Sequence, residues 1–90
     1  MDVIHDQETQ EFYLQIDHEK CLMDYTIVDE HTLDFYHTFT PIGLRGHGYA
    51  AMVVKAALDY AAENHLKVIP TCSYVKAFIS QHKEYFGLTT

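Results

Sequence analysis

Three sets of residues in this sequence carry usable chemistry: a glycine-bearing loop, two cysteines and seven histidines. The loop is Arg45-Gly46-His47-Gly48-Tyr49-Ala50, set between a strand pattern and a helix pattern. A helix start leaves several N–H groups unpaired, and its dipole favours an anion there. Gly46 and Gly48 allow unusual backbone angles and a close approach by a ligand, while Ala50 keeps the first turn narrow. The loop therefore has what a diphosphate requires. A plain turn would use the same two glycines for geometry alone. A Walker A loop is excluded, because Tyr49-Ala50 stands where Lys-Ser/Thr is needed. A dinucleotide fingerprint, with three glycines and a later acid, also matches poorly.

Cys72 and Cys21 form no CxxC pair, and a free cysteine is either a nucleophile or a small buried hydrophobe. Cys21 falls on the apolar side of a strand pattern and reads as core. No Lys, Arg or His directly flanks Cys72, so its neighbours in sequence give no reason for a lowered pKa. The histidines stand at 5, 18, 31, 37, 47, 65 and 82, with no HxxxH pair and no His–Cys cluster at zinc spacing. No metal site is expected from them.

Hydrophobic periodicity supplies the elements that must position these groups. Glu11 to Ile16 alternates, with Phe12, Leu14 and Ile16 on one side. Cys21 to Val28 alternates again, after a polar turn at Asp17–Lys20. Thr32 to Phe39 places Leu33, Phe35, His37 and Phe39 on one face, which makes His37 a core histidine or a general base. Three strands with short turns predict an antiparallel meander. Pro41 and Gly43 end the third strand. From Gly48 to Asn64 the period becomes helical, with Val53, Val54, Ala57, Leu58 and Ala61 in one stripe. Asn64 or His65 is expected to take the left-handed terminating conformation. Leu66 to Thr71 reads as a fourth strand and Val75 to His82 as a second helix, with Tyr85, Phe86 and Leu88 tucked against the core. The expected order is β-β-β-α-β-α, an α+β fold with a right-handed crossover around the long helix.

Composition bounds the partners. The 90 residues make one domain, 48% hydrophobic, with residues 1–10 read as a flexible polar arm. The formal charge is −7, with only six Lys and Arg, so the basic stripe of a nucleic-acid binder is missing. Backbone amides can still bind a small anion without net positive charge. Neither a signal-peptide h-region nor a membrane span is seen. A cytoplasmic protein with reduced thiols, monomeric or weakly dimeric, is expected.

Taken together, the motifs resemble a known family. Arg45-x-x-Gly48-x-Ala50 is similar to the Q/R-x-x-G-x-G/A motif of the GCN5-related N-acetyltransferases (GNATs). His37-Thr38, Leu44-Arg45-Gly46-x-Gly48, Ala56–Asp59, Leu66–Pro70, Cys72–Val75 and His82-x-Glu84-Tyr85 look like its small single-domain subgroup, in order. The resemblance spans Phe12 to Leu88 and implies a minimal GNAT fold that uses acetyl-CoA. By that resemblance the pyrophosphate meets the Arg45–Ala50 loop, with Thr40, Ser73 and Tyr74 completing the set Thr40, Arg45, Gly46, His47, Gly48, Tyr49, Ala50, Ser73, Tyr74. The acceptor would be a primary amine, a small molecule or a protein lysine, arriving from the opposite side of the sheet. Cys72, at a position where the subgroup also has cysteine, would accept the acetyl group or protonate the departing sulfur. His37 would be the base. The subgroup often carries Glu after His-Thr, whereas this chain has Phe39, which leaves a CoA-binding module with little turnover as the alternative.

Overall fold

A computed structural model describes residues 2–89. Five strands form one sheet in the order β1-β2-β3-β4-β5: β1 (Ile4–Asp6), β2 (Glu11–Ile16), β3 (Glu19–Asp29), β4 (Thr32–Phe39) and β5 (Lys67–Ile69). The first four pair antiparallel, and β5 pairs parallel with β4. Helix α1 (Tyr49–Glu63) connects β4 to β5, and α2 (Ser73–Ser80) follows β5. Short 3-10 segments at Ile42–Leu44 and Lys83–Leu88 complete the chain. The architecture is the expected α+β arrangement, and among the described residues no helix is long and apolar enough to cross a membrane.

The turns explain the tight meander. Only Asp17 and His18 separate β2 from β3, with Asp17 at φ 54°, the positive angle that a two-residue hairpin demands. Glu30 and His31 join β3 to β4, and the Asp29 carboxylate accepts the His31 amide at 2.8 Å. β2 keeps the bounds that its alternation indicates, whereas β3 begins two residues before Cys21 and ends one after Val28.

The helices cover one face of the sheet. Val53, Val54, Ala57, Leu58 and Ala61 of α1 are buried against Phe12, Leu14, Met23, Phe35 and Val68. The alanines let the helix axis approach the strands, and burying each of Val53, Val54 and Leu58 contributes about 1.5–3 kcal/mol. The α1 terminus is a Schellman cap: Leu66 N–H donates to Ala61 O, His65 N–H donates to Ala62 O, and His65 takes φ 57°. Of the two residues considered for that conformation, His65 adopts it. In α2, Val75 and Ile79 enter the same core and Phe78 packs on it.

The structure corrects four expectations. Within the stretch read as a flexible arm, Ile4–Asp6 forms a fourth antiparallel strand on the edge of the sheet. Three residues are too few for a period-2 signal, and what holds them is long-range: His5 stacks on Phe12 at 4.0 Å and hydrogen-bonds the Tyr25 hydroxyl. Helix α2 begins two residues earlier than its apolar stripe, with Cys72 as its cap. Phe86 is exposed, while Tyr85 is buried and donates its hydroxyl proton to Asp59 at 2.6 Å. The fourth correction concerns β4. A bulge falls where Asp24 pairs with His37 but Tyr25 pairs with Phe35, so Tyr36 is the extra residue. The bulge inverts the alternation. His37 and Phe39 therefore face away from Leu33 and Phe35, and both are exposed.

Candidate active site

The site forms where the sheet loses its last two neighbours. Pairing of β4 with β5 runs from Thr32↔Lys67 to Asp34↔Ile69. One further bond, Cys72 N–H to Phe35 O at 2.9 Å, closes the seam. Beyond it the two segments part, β4 running on to Phe39 while α2 begins. The glycine loop and the α1 N-terminus lie next to this parting.

Gly48 caps α1 at φ 80°, and Gly46 sits at φ 82°; both conformations strain any residue with a Cβ. A Cβ added at either position would meet nothing within 4 Å, so the loop presents its backbone to open space. No side chain caps α1 and no acidic residue occupies its first turn. The orphan amides there thus have neither an internal partner nor a competing charge. Into that space opens a cavity of about 250 Å³, lined by Thr40, Leu44, Arg45, Gly46, Gly48, Tyr49, Ala50, Ala51 and Tyr74. Arg45 is held by its Nε, which donates to Thr40 O at 3.0 Å.

Seven of the nine residues in the expected cofactor set line this cavity. His47 does not; it is exposed and stacks on Tyr49 at 5.3 Å. Ser73 does not either, being an exposed residue in the first turn of α2. Sequence reasoning passed over Leu44 and Ala51. Leu44 is buried at the end of the 3-10 turn, a position readable as part of the motif but not as a wall.

The two thiols occupy parallel but unequal settings. Cys21 in β3 is buried and lies 3.3 Å from the Thr40 hydroxyl. Cys72 is half-buried and lies 3.5 Å from the Thr38 hydroxyl. No side-chain hydrogen bond closes the α2 cap at ideal geometry, yet the amides of Val75 and Tyr74 face the Cys72 sulfur. Burial pushes this thiol up, but the Thr38 hydrogen bond and those amides outweigh it and hold it below its ordinary value. That effect was invisible in the sequence, because it comes from backbone donors and a partner far along the chain. Tyr74, at the mouth of the cavity, has its hydroxyl pushed up by burial and by Cys21.

His37 belongs to the other face of the sheet. Glu11, Asp24 and His37 stand directly opposite one another on β2, β3 and β4. Burial and the neighbouring Glu11 push the Asp24 carboxyl up, against the opposing pull of His37 and Lys20. Lys20 donates to Glu11 and lies 4.5 Å over the Tyr13 ring. Consecutive residues His37 and Thr38 thus point to opposite faces, with Thr38 on the Cys72 side.

Known proteins resemble this chain in sequence and in fold. The GCN5-related N-acetyl-transferase family profile matches residues 11–88. The chain is 33% identical over 87 residues to Protein NATD1 of Danio rerio, covering 92% of this chain and 79% of that protein. It is 32% identical over 82 residues to Protein NATD1 of Homo sapiens, covering 89% of this chain and 73% of that protein. The solution structure of a GCN5-like protein from Staphylococcus aureus superposes with a TM-score of 0.72 at 25% identity, covering 99% of this chain and 87% of that one. Family profile, relatives and fold agree, and the chain belongs to the GCN5-related N-acetyltransferase family.

Proposed function

We propose that this chain transfers an acetyl group from acetyl-CoA to a primary amine, carried by a small molecule or a protein lysine. The observation that carries the reading is the cavity at the uncapped start of α1, framed by two glycines in positive-φ conformations. Gly46, Gly48 and the first amides of α1 would hold the pyrophosphate, with Arg45 and Tyr74 beside them. Acetyl-CoA supplies an activated thioester: its carbonyl carbon bonds to the amine nitrogen while the carbon–sulfur bond breaks and the sulfur keeps the electron pair.

The chain's own groups would manage the protons. Cys72 has a lowered pKa and a hydroxyl partner in Thr38. As a thiol it would give its proton to the departing sulfur; as a thiolate it would take the acetyl group first and pass it to the amine. His37, exposed on the open face beside Asp24, would accept the proton that the attacking ammonium must lose.

Two measurements test the proposal. Calorimetric titration with acetyl-CoA should give binding in the micromolar to millimolar range, about 1 mM at weakest. An absence of heat there sinks it. Intact mass after mixing with acetyl-CoA, for the parent and Cys72→Ala, separates the two cysteine roles: an adduct of one acetyl group in the parent alone marks the covalent route.

One observation favours a second reading, a CoA-binding module with little turnover. Phe39, 48% exposed, occupies the open-face position where the subgroup often has a carboxylate. Release of CoA that depends on an added amine and falls in His37→Gln would dismiss this reading.

A further inference from the structure

A second concavity, larger than the one at the glycine loop, lies at the other end of α1. A cavity of about 410 Å³ opens between the β3–β4 hairpin, the β1–β2 turn and the last turn of α1. Its walls are Tyr25, Leu33, Tyr60 and Leu66, and its rim carries Asp29 and Glu30. The aromatic wall is pre-formed. The Tyr25 hydroxyl is engaged by His5 Nε2 at 2.6 Å, and the His5 ring meets Tyr60 edge-on at 4.5 Å. Neither tyrosine has to be ordered when a ligand enters.

The electrostatics of this end are one-sided. No basic residue stands in the last turn of α1, and Glu63 ends the helix, so its negative pole is left uncompensated. The Asp29 carboxyl is held below its ordinary range, first by the His31 amide and then by the Thr32 hydroxyl. Glu30 is exposed, with the Nε2 of the His31 ring 3.3 Å from its carboxylate. An anion is repelled here three times over, and a neutral molecule leaves the rim unused. A cation with an apolar body satisfies wall and rim together, the tyrosine rings adding their own attraction for positive charge.

We infer that this cavity binds a small organic ammonium, its apolar body against Tyr25, Tyr60 and Leu66 and its charge toward Asp29 and Glu30. The site is separate from the glycine cradle. The 15 residues of α1 set the two about 20 Å apart at 1.5 Å per residue. The inference rests on the shape and charge of this cavity and stands whether or not acetyl-CoA binds at the other end.

The test uses the full chain, labelled with nitrogen-15, and three probes of one shape: benzylammonium, benzyl alcohol and benzoate. Benzylammonium is expected to cause saturable shifts in the amides of Gln7, Glu30, Asn64 and Leu66, leaving Gly46 and Gly48 unmoved. The neutral and anionic probes should bind more weakly. Glu30→Gln, whose side chain is 86% exposed in the parent and whose fold is checked by its own spectrum, should weaken benzylammonium about two- to fivefold. The inference is overturned by absence of saturation in the millimolar range, by equal affinity for the three probes, by equal affinity of parent and variant, or by shifts that centre on the glycine loop.

Discussion

The two faces of the sheet are built by different rules. The face under α1 and α2 is closed by packing: Met23, Phe35, Val54, Ala57 and Val75 are each 0% exposed. Among the described residues no helix covers the opposite face, which carries Glu11, Asp24 and His37 in one cross-strand row, and on which Phe39 and Ile69 are exposed. Thr38 and Cys72 belong to the covered side, and the proposed base belongs to the open one. Under the proposed function, cofactor chemistry and acceptor chemistry would be divided by the thickness of a single strand, β4. What separates them is the Tyr36 bulge, which turns His37 out while Thr38 stays in.

Stability should expose the division most strongly. Phe35→Ala leaves a cavity between β4 and the helices, and should cost about 3–5 kcal/mol, enough to bring so small a domain close to unfolding. Tyr36→Ala, one residue along but on the extra position of the bulge and 45% exposed, should stay within about 0.5 kcal/mol. Denaturant midpoints for the pair check this. Similar losses would mean that the open face is covered in solution.

Activity should divide the other way. If His37 takes the amine's proton, His37→Gln should lower turnover about 100-fold while acetyl-CoA affinity and the unfolding midpoint stay put. Calorimetry and a CoA-release assay on the same preparation separate the two effects. A matching loss of affinity would show that the faces are not independent.

The cradle is the next boundary. Gly48→Asp should weaken acetyl-CoA tenfold or more, about 1.4 kcal/mol, by placing a negative charge at the pole that would meet the pyrophosphate. Gly48→Asn has the same shape without the charge and tolerates the φ of 80° comparably, so it should lose less. Equal affinities for the two variants would remove the electrostatic account of the loop.

How much of this the sequence disclosed follows from the range of the forces involved. The glycine loop was legible because positive φ and an uncapped helix start are local properties, written in six consecutive residues. The strands β2, β3 and β4 were legible because alternation reports one buried face. The bulge was not: its position is set by the register of β3 against β4, so His37 was read onto the core side and lies on the other. The β1 strand was missed because its hold comes from Phe12, Tyr25 and Tyr60 rather than from its own three residues. The Tyr25–Tyr60 cavity was missed for the same reason, since its walls come from three elements far apart in sequence.

The smallest effect is the most discriminating, because it compares neighbours on β4. Cys72 is held below its ordinary pKa of 9.0 against the contrary effect of burial, with Thr38 foremost among the groups that lower it. A thiolate lowered by the fold reacts at lower pH than an unfolded cysteine, and its stabilising contribution is present above the unfolded value and lost as pH falls through the folded one. Iodoacetamide should therefore label Cys72 half-maximally below pH 9.0, while Cys21, 1% exposed, stays unlabelled in the native chain. Thr38→Val removes the hydroxyl and leaves burial with less opposition, so the profile should move to higher pH. His37→Gln changes the adjacent side chain on the other face and should leave the profile where it is. A shift in both variants would mean that charge on the open face reaches the sulfur through the sheet, whereas a shift in Thr38→Val alone makes the strand an electrostatic partition as well as a structural one.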